Sequence, residues 1–172
     1  MRRKLENFST ASYDKGRSKI VQALWFATLN LFFMKWWLPK SFRPIILRLF
    51  GAKVGKNVFI RHRVRVLWPW KLEVGDNTWL GEDLWVLNLE QVNIGSDVAL
   101  SQGVMLCTGS HDYLSESFAY RNAPISIGDG VWLAAYTLVL PGVSIGEGAT
   151  VLSRCRVSHS VAPESIIKSA EY

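Results

Sequence analysis

The chain has 172 residues, 49% hydrophobic and 20% charged, and no low-complexity segment, which fits one domain with an ordinary core. Its two cysteines, Cys107 and Cys155, exclude a disulfide framework and a paired metal-ligand spacing, so a reducing compartment is the default. The net charge of +6 hides an asymmetry: residues 1–71 carry 16 Lys/Arg against two acidic residues, and residues 72–172 carry four against 12. A basic first third of this kind suits an anionic membrane face or nucleic acid.

The residues around those charges favour the membrane. Ile20 to Met34 is an apolar run of 15 residues, preceded by Lys15, Arg17 and Lys19 and followed by Lys35-Trp36-Trp37-Leu38-Pro39-Lys40. It is shorter than the roughly 20 residues a spanning helix needs. Trp25, Trp36 and Trp37 with flanking lysines suit indoles at headgroup depth over residues 15–40. Packing of the same helix on the body of the protein or on a sister subunit fits as well. No small-residue cleavage site follows the run, which argues against a signal peptide. Nucleic acid is disfavoured because no binding motif accompanies the bases. Pro39 and Pro44 bracket a linker, and Ile45 to Phe50 reads as a helical turn or two ended by Gly51.

From Ala52 an aliphatic residue recurs every six positions: Val54, Ile60, Val66; Val74, Leu80, Val86; Ile94, Leu100, Leu106; then Ile127, Leu133, Val139, Ile145, Val151, Val157. That period is neither helical nor alternating. It predicts a solenoid with three short strands per coil, an inward aliphatic on each flat face and small residues at the corners. Gly-Asp and Gly-Lys-Asn types fill those corners, where glycine is expected to supply positive φ. The early coils are 20 residues long rather than 18, with two extra residues near Trp68–Lys71 and Asn88–Gln91. Between Leu106 and Ile127 lies an insertion of 15 residues, after which the spacing of six is expected to run to the end.

The segments Gly128-Asp129-Gly130-Val131-Trp132-Leu133 and Leu140-Pro141-Gly142-Val143-Ser144-Ile145-Gly146 resemble the hexapeptide-repeat acyltransferases, in the maltose, galactoside and nodulation-factor O-acetyltransferase branch. Ser101-Gln102-Gly103 through Thr108-Gly109-Ser110-His111-Asp112-Tyr113 is most similar to the colanic acid biosynthesis acetyltransferases. The resemblance implies an all-β solenoid, a left-handed parallel β-helix of hexapeptide repeats, with an N-terminal helical segment. It further implies a homotrimer with sites between subunits and acetyl-CoA as co-substrate. The expected organisation is a basic, apolar segment over 1–51, a β-helix over 52–165 with an inserted loop at 107–126, and a tail over 166–172.

His111, at the start of the long insertion beside Gly109 and Ser110, is the candidate general base. Acyl transfer to a hydroxyl needs a group near its working pH to take the alcohol proton, and imidazole meets that need. Asn88 matches the family's asparagine at the acceptor or reacting centre; a corner Asn satisfying its own turn is the other reading. Tyr113, Tyr120 and Arg121, with Glu116 and Phe118, offer stacking and hydrogen bonds to a sugar, or pack the loop on the next subunit. By the resemblance Trp132, Ala134, Ala135 and Ser153 hold the pantetheine arm of CoA. Two departures concern that site: Ser158-His159 stands where relatives carry Thr-Lys, and the carboxy-terminal stretch differs. His62 and His159 fall at ordinary repeat positions and read as structural or solvent-facing. No metal is expected, since no ligand cluster has the spacing.

The expected function is transfer of acetyl from acetyl-CoA to a sugar hydroxyl of an exopolysaccharide or lipid-linked precursor, in the cytoplasm, with a peripheral location at the inner membrane face under the membrane reading. Acetylation of a small amine or serine-like acceptor is the alternative within the fold. A non-catalytic hexapeptide scaffold is the alternative outside it.

Overall fold

The computed structural model describes residues 5–9 and 13–168, and within them the six-residue beat becomes a three-faced parallel solenoid. The first face stacks Lys53–Val54, Leu72–Val74, Val92–Ile94, Ile125–Ile127 and Ser144–Ile145. The second stacks Phe59–Ile60, Trp79–Leu80, Ala99–Leu100, Trp132–Leu133, Thr150–Val151 and Ile166–Ile167. The third stacks Arg65–Val66, Trp85–Leu87, Met105–Cys107, Leu138–Val139 and Arg156–Val157. Every pairing is parallel and joins equivalent positions of successive coils, as in Val54↔Val74↔Ile94↔Ile127↔Ile145. The architecture is a left-handed parallel β-helix preceded by helices.

The beat works because each inward aliphatic sits directly over its equivalent one coil away. Ile60, Leu80, Leu100, Leu133 and Val151 form one such column, none more than 2% exposed. The residue two positions earlier also points inward: Val58, Val98, Val131 and Ala149 are buried there. Thr78 shares that column and is satisfied, donating to the Gly95 carbonyl (2.8 Å) and accepting from the Val98 amide (3.2 Å). Cys155 occupies the matching column of the third face as a small buried group, and burial pushes its thiol up.

The corners use glycine in two ways: Gly103, Gly130, Gly142 and Gly148 take the expected positive φ, at 65–79°, and a second set of glycines is required for another reason. The left-handed residue is the third of each corner, and there Asn57, Asn77, Asp83 and Asp97 have φ of 54–60°. The glycine opens the corner, where the next coil stacks directly against it. A Cβ on Gly75 would lie 2.5 Å from the Gly95 carbonyl carbon, and one on Gly81 2.6 Å from that of Ser101. Close stacking of coils selects those glycines. At the carboxy-terminal end the expected spacing fails: after Val157 the column continues at Val161, bridged to Ile145, and at Ile167, paired to Val151. The corner 158–160 is thus two residues shorter, and in the next corner Pro163 packs over Gly146. The tail beyond Lys168 lies outside the described residues.

The amino-terminal helices pack along the first coils. Helix α1 (Lys19–Thr28) begins at Ser18, whose hydroxyl accepts from the Val21 amide, and continues as a π-helical turn over Leu29–Phe33. Trp25, Leu29 and Phe33, four residues apart, form the inward stripe. This corrects the reading of Trp25 as a headgroup-depth indole: it is 0% exposed, and its Nε1 donates to the Val66 and Leu67 carbonyls, both at 3.0 Å. The opposite stripe, with Ile20, Leu24, Leu31 and Phe32, is exposed, as are Trp36 and Trp37. Helix α2 (Phe42–Leu49) starts before Pro44, which sits in its first turn, where a missing N–H is tolerated, and is not the end of a linker. Buried Arg43 donates to the Phe33 and Lys35 carbonyls and so ties α2 to the end of the π turn. Gly51, at φ +95°, follows α2 as expected. No described helix is long and apolar enough to cross a membrane.

Candidate active site

The long insertion leaves the corner between the third and first faces and returns as a short antiparallel hairpin. Thr108 is buried at its base, where its hydroxyl donates to the Leu87 carbonyl and accepts from the Glu90 amide. The Asp112 amide donates to the Ala119 carbonyl, and those of Arg121 and Ala123 donate to the Ser110 and Thr108 carbonyls. A bridge pairs His111 with Tyr120.

This hairpin fixes the imidazole. Nδ1 of His111 lies 2.7 Å from the Phe118 carbonyl oxygen. A carbonyl only accepts, so Nδ1 carries the proton, and in the neutral ring the lone pair lies on Nε2. The Phe118 ring lies flat on the imidazole, with centroids 4.1 Å apart and planes 5° apart. Tyr120 stacks at 5.1 Å, and Phe8, from the amino-terminal segment, approaches at 5.5 Å. Among the predicted sugar contacts, Tyr120 is thus half-buried against the histidine, whereas Tyr113 and Arg121 are exposed.

Asn88 is placed differently from its expected contact with an acceptor. It is 0% exposed; its Oδ1 accepts from the Trp68 amide (2.9 Å), and its Nδ2 donates to the Trp68 (2.6 Å) and Lys71 (2.9 Å) carbonyls. Both N–H bonds are committed to the two-residue expansion at Trp68–Lys71, so the geometry makes Asn88 the clip of that corner. Asn88→Ala is therefore expected to lower unfolding stability by about 2–3 kcal/mol, because it strands buried backbone groups. Its kcat, measured well below the lowered melting temperature, should stay near that of the parent.

The four expected CoA contacts gather elsewhere, on the second face and the corner after it. Trp132 is half-exposed, and its Nε1 donates to the Ser101 hydroxyl at 3.1 Å. Ala135 is half-buried and Ser153 exposed. Ala134 is buried, with its N–H on the Val151 carbonyl, so coil stacking already uses that donor. The third face separates this corner from the one that bears His111 within a single chain.

An open groove of about 560 Å³ runs along the second face, lined by Phe59, Trp79, Ser101, Gln102 and Tyr136. Trp79 and Tyr136 were not among the sequence candidates. The signal for Trp79 was readable: the residue before each inward aliphatic points outward, which puts Phe59, Trp79, Ala99 and Trp132 in one external row. At the rim, Glu82 meets Arg61, His62 and Arg63 at 3.4, 3.3 and 2.9 Å. The Arg63 guanidinium holds the Asp83 carboxyl below its ordinary range. His62 therefore lies against the Glu82 carboxylate beside Arg61 and Arg63, and His159 is exposed beside the Ser158 hydroxyl. Among the described residues no group of three or more His, Cys, Asp and Glu side chains is placed to hold a metal ion.

Comparison with known proteins agrees with this architecture. The chain is 41% identical over 166 residues to WcaF of Escherichia coli K12, an acetyltransferase named for colanic acid biosynthesis, covering 95% of this chain and 90% of that one. The solved structure of a maltose O-acetyltransferase from Clostridium difficile 630 superposes with a TM-score of 0.78 at 23% identity, over 87% of this chain and 83% of that one. A hexapeptide-repeat acetyltransferase from Vibrio cholerae, solved with acetyl coenzyme A, gives a TM-score of 0.78 at 21% identity, over 92% and 86% of the two chains. No protein-family model matches the chain.

Proposed function

The chain belongs to the hexapeptide-repeat acetyltransferases, in the group that includes WcaF, and from that premise we propose that it transfers the acetyl group of acetyl-CoA to a hydroxyl of an exopolysaccharide sugar or of its lipid-linked precursor. The observation that carries the reading is the 2.7 Å contact of His111 Nδ1 with the Phe118 carbonyl oxygen, which sets the tautomer. With Nδ1–H anchored on the Phe118 carbonyl, Nε2 is free to take the acceptor hydroxyl proton while its oxygen attacks the thioester carbonyl. The C–O bond forms, the tetrahedral intermediate collapses with loss of the C–S bond, and the imidazolium returns its proton to the departing thiolate.

Trp132, Ala135 and Ser153 are proposed to line the pantetheine arm, with Trp79 and Tyr136 extending that wall; Tyr113 and Arg121 are left to meet the sugar. His111 and this wall occupy different corners, which supports a closed ring of three copies, each presenting its loop to the groove of a neighbour. Light scattering should then give a trimeric mass, and full activity at a concentration where the mass is monomeric would count against a shared site.

The test of the reaction is thiol release from acetyl-CoA across nucleotide-sugars, lipid-linked sugars, oligosaccharides, amino sugars and serine. Acceptor-dependent release is expected with hydroxyl acceptors that lack an amine. Release only with amines would overturn O-acetylation.

The exposed apolar stripe of α1, with Trp36, Trp37 and the neighbouring lysines, supports peripheral docking on the inner membrane face. The protein is expected to pellet with anionic liposomes and to release as salt shortens the screening length to about 10 Å at 0.1 M. Trp36→Ala with Trp37→Ala should weaken pelleting without a change in melting. An intact protein that never pellets would leave the stripe to protein–protein packing.

A further inference from the structure

Among the described residues three rings surround His111; Phe118 and Tyr120 belong to its own hairpin, and Phe8 comes from the amino-terminal segment. The segment that carries it is fastened to the corner from which the hairpin rises. Tyr13 packs on Tyr120 at 5.5 Å, and its hydroxyl accepts from Trp68 Nε1. Burial pushes that phenol up to about 12, so it stays protonated. Lys71 Nζ donates to the Asp14 carbonyl and also to the Leu89 carbonyl, one cation holding both the segment and the corner. Trp70 Nε1 donates to the Lys15 carbonyl at 2.6 Å. Gly16, at φ +79°, turns directly against that indole, where a Cβ would lie 3.0 Å from Nε1. The fastening is therefore continuous from Tyr13 to Gly16, and ahead of it Phe8 meets Tyr120 edge-on, with centroids 5.2 Å apart and planes at 72°.

We propose that Phe8 is a positioning residue for the reaction, holding the His111 imidazole so that Nε2 keeps a fixed direction. Phe118 stacks flat on the imidazole, and a flat stack resists tilting but allows in-plane sliding. The Nδ1–H bond resists sliding at one atom only. A third ring, inclined at 60° to the imidazole and locked on Tyr120, opposes the remaining swing. Small errors in the placement of a base lower the rate steeply, by up to about a hundredfold for roughly 1 Å. The inference rests on His111 as general base.

The test uses the full-length chain. Phe8→Ala should lower kcat by about ten- to a hundredfold. The KM for acetyl-CoA and the melting temperature should stay near those of the parent, and Phe8→Tyr should restore most of the rate. With ¹⁵N-labelled histidine, Phe8→Ala should shift the His111 ring nitrogens away from the fixed Nδ1–H form. In a His111→Ala background the same substitution should add no further loss, since a positioning effect needs the group it positions. An unchanged kcat in Phe8→Ala, or an equal loss in both backgrounds, would overturn the role of Phe8 and leave His111 as the base. Parental turnover in His111→Ala would overturn both together.

Discussion

His111→Ala is expected to lower acetyl transfer by about 10²–10⁴-fold, the range for a lost general base, with melting temperature and oligomeric mass unchanged. The size follows from the reaction. A neutral hydroxyl is a poor nucleophile toward a thioester unless its proton leaves as the bond forms, and Nε2 is the lone pair that the hairpin presents for it. The fold should tolerate the change because the hairpin is held by the Thr108, Ser110, Ala119 and Asp112 backbone bonds and by Asn122, whose side chain accepts from the Ser110 amide. A fall in kcat with an unchanged KM for acetyl-CoA would place the loss in the chemical step. Parental turnover would remove His111 from the mechanism.

Trp25→Ala is expected to have the largest effect on stability, a loss of about 3–5 kcal/mol, the range for truncating a buried aromatic. Its ring is fully buried between Phe33 and Phe50, at 5.6 and 5.1 Å, and its indole N–H serves two carbonyls of the third-face corner. In a chain of this size such a loss lowers the melting temperature by roughly 10 °C or more. Trp36 is 80% exposed, and Trp36→Ala should move stability by less than about 0.5 kcal/mol. Parallel denaturant unfolding of the two variants checks the contrast; similar small effects would show that α1 is only loosely attached. The contrast also bears on removal of residues 1–40. That segment carries Trp25, Leu29, Phe33 and Phe8, so deletion would strip one side of the core and the ring against His111, whereas a detachable anchor would leave the catalytic body intact.

The placement of Asn88 and Trp25 shows where reading residues one at a time runs out. Asn88 stands at an expanded corner, and sequence spacing alone left open whether its amide faced an acceptor or its own turn. The answer lay one coil earlier, in the backbone of Trp68 and Lys71. Trp25 lies in an apolar run flanked by lysines, a pattern shared by interfacial and packed helices. Only the other surface, the Val66 and Leu67 carbonyls, decided which side of α1 turned inward.

The sequence by itself determined the solenoid, its inward columns and the position of the histidine loop. In a parallel coil each residue stacks on its own equivalent, so the pattern along the chain is the pattern through the core. Ile60, Leu80 and Leu100 declare their contacts by spacing alone. The break in that spacing likewise marks the hairpin of His111. Tertiary structure alone decided the contacts that join unlike parts of the chain: Phe8 on His111, Tyr13 on Tyr120, Trp25 on the third-face corner, and the meeting of His62 with Glu82. Such contacts repeat nowhere along the chain, so they leave no period to read, and they form only once the coils have brought distant segments to the same corner.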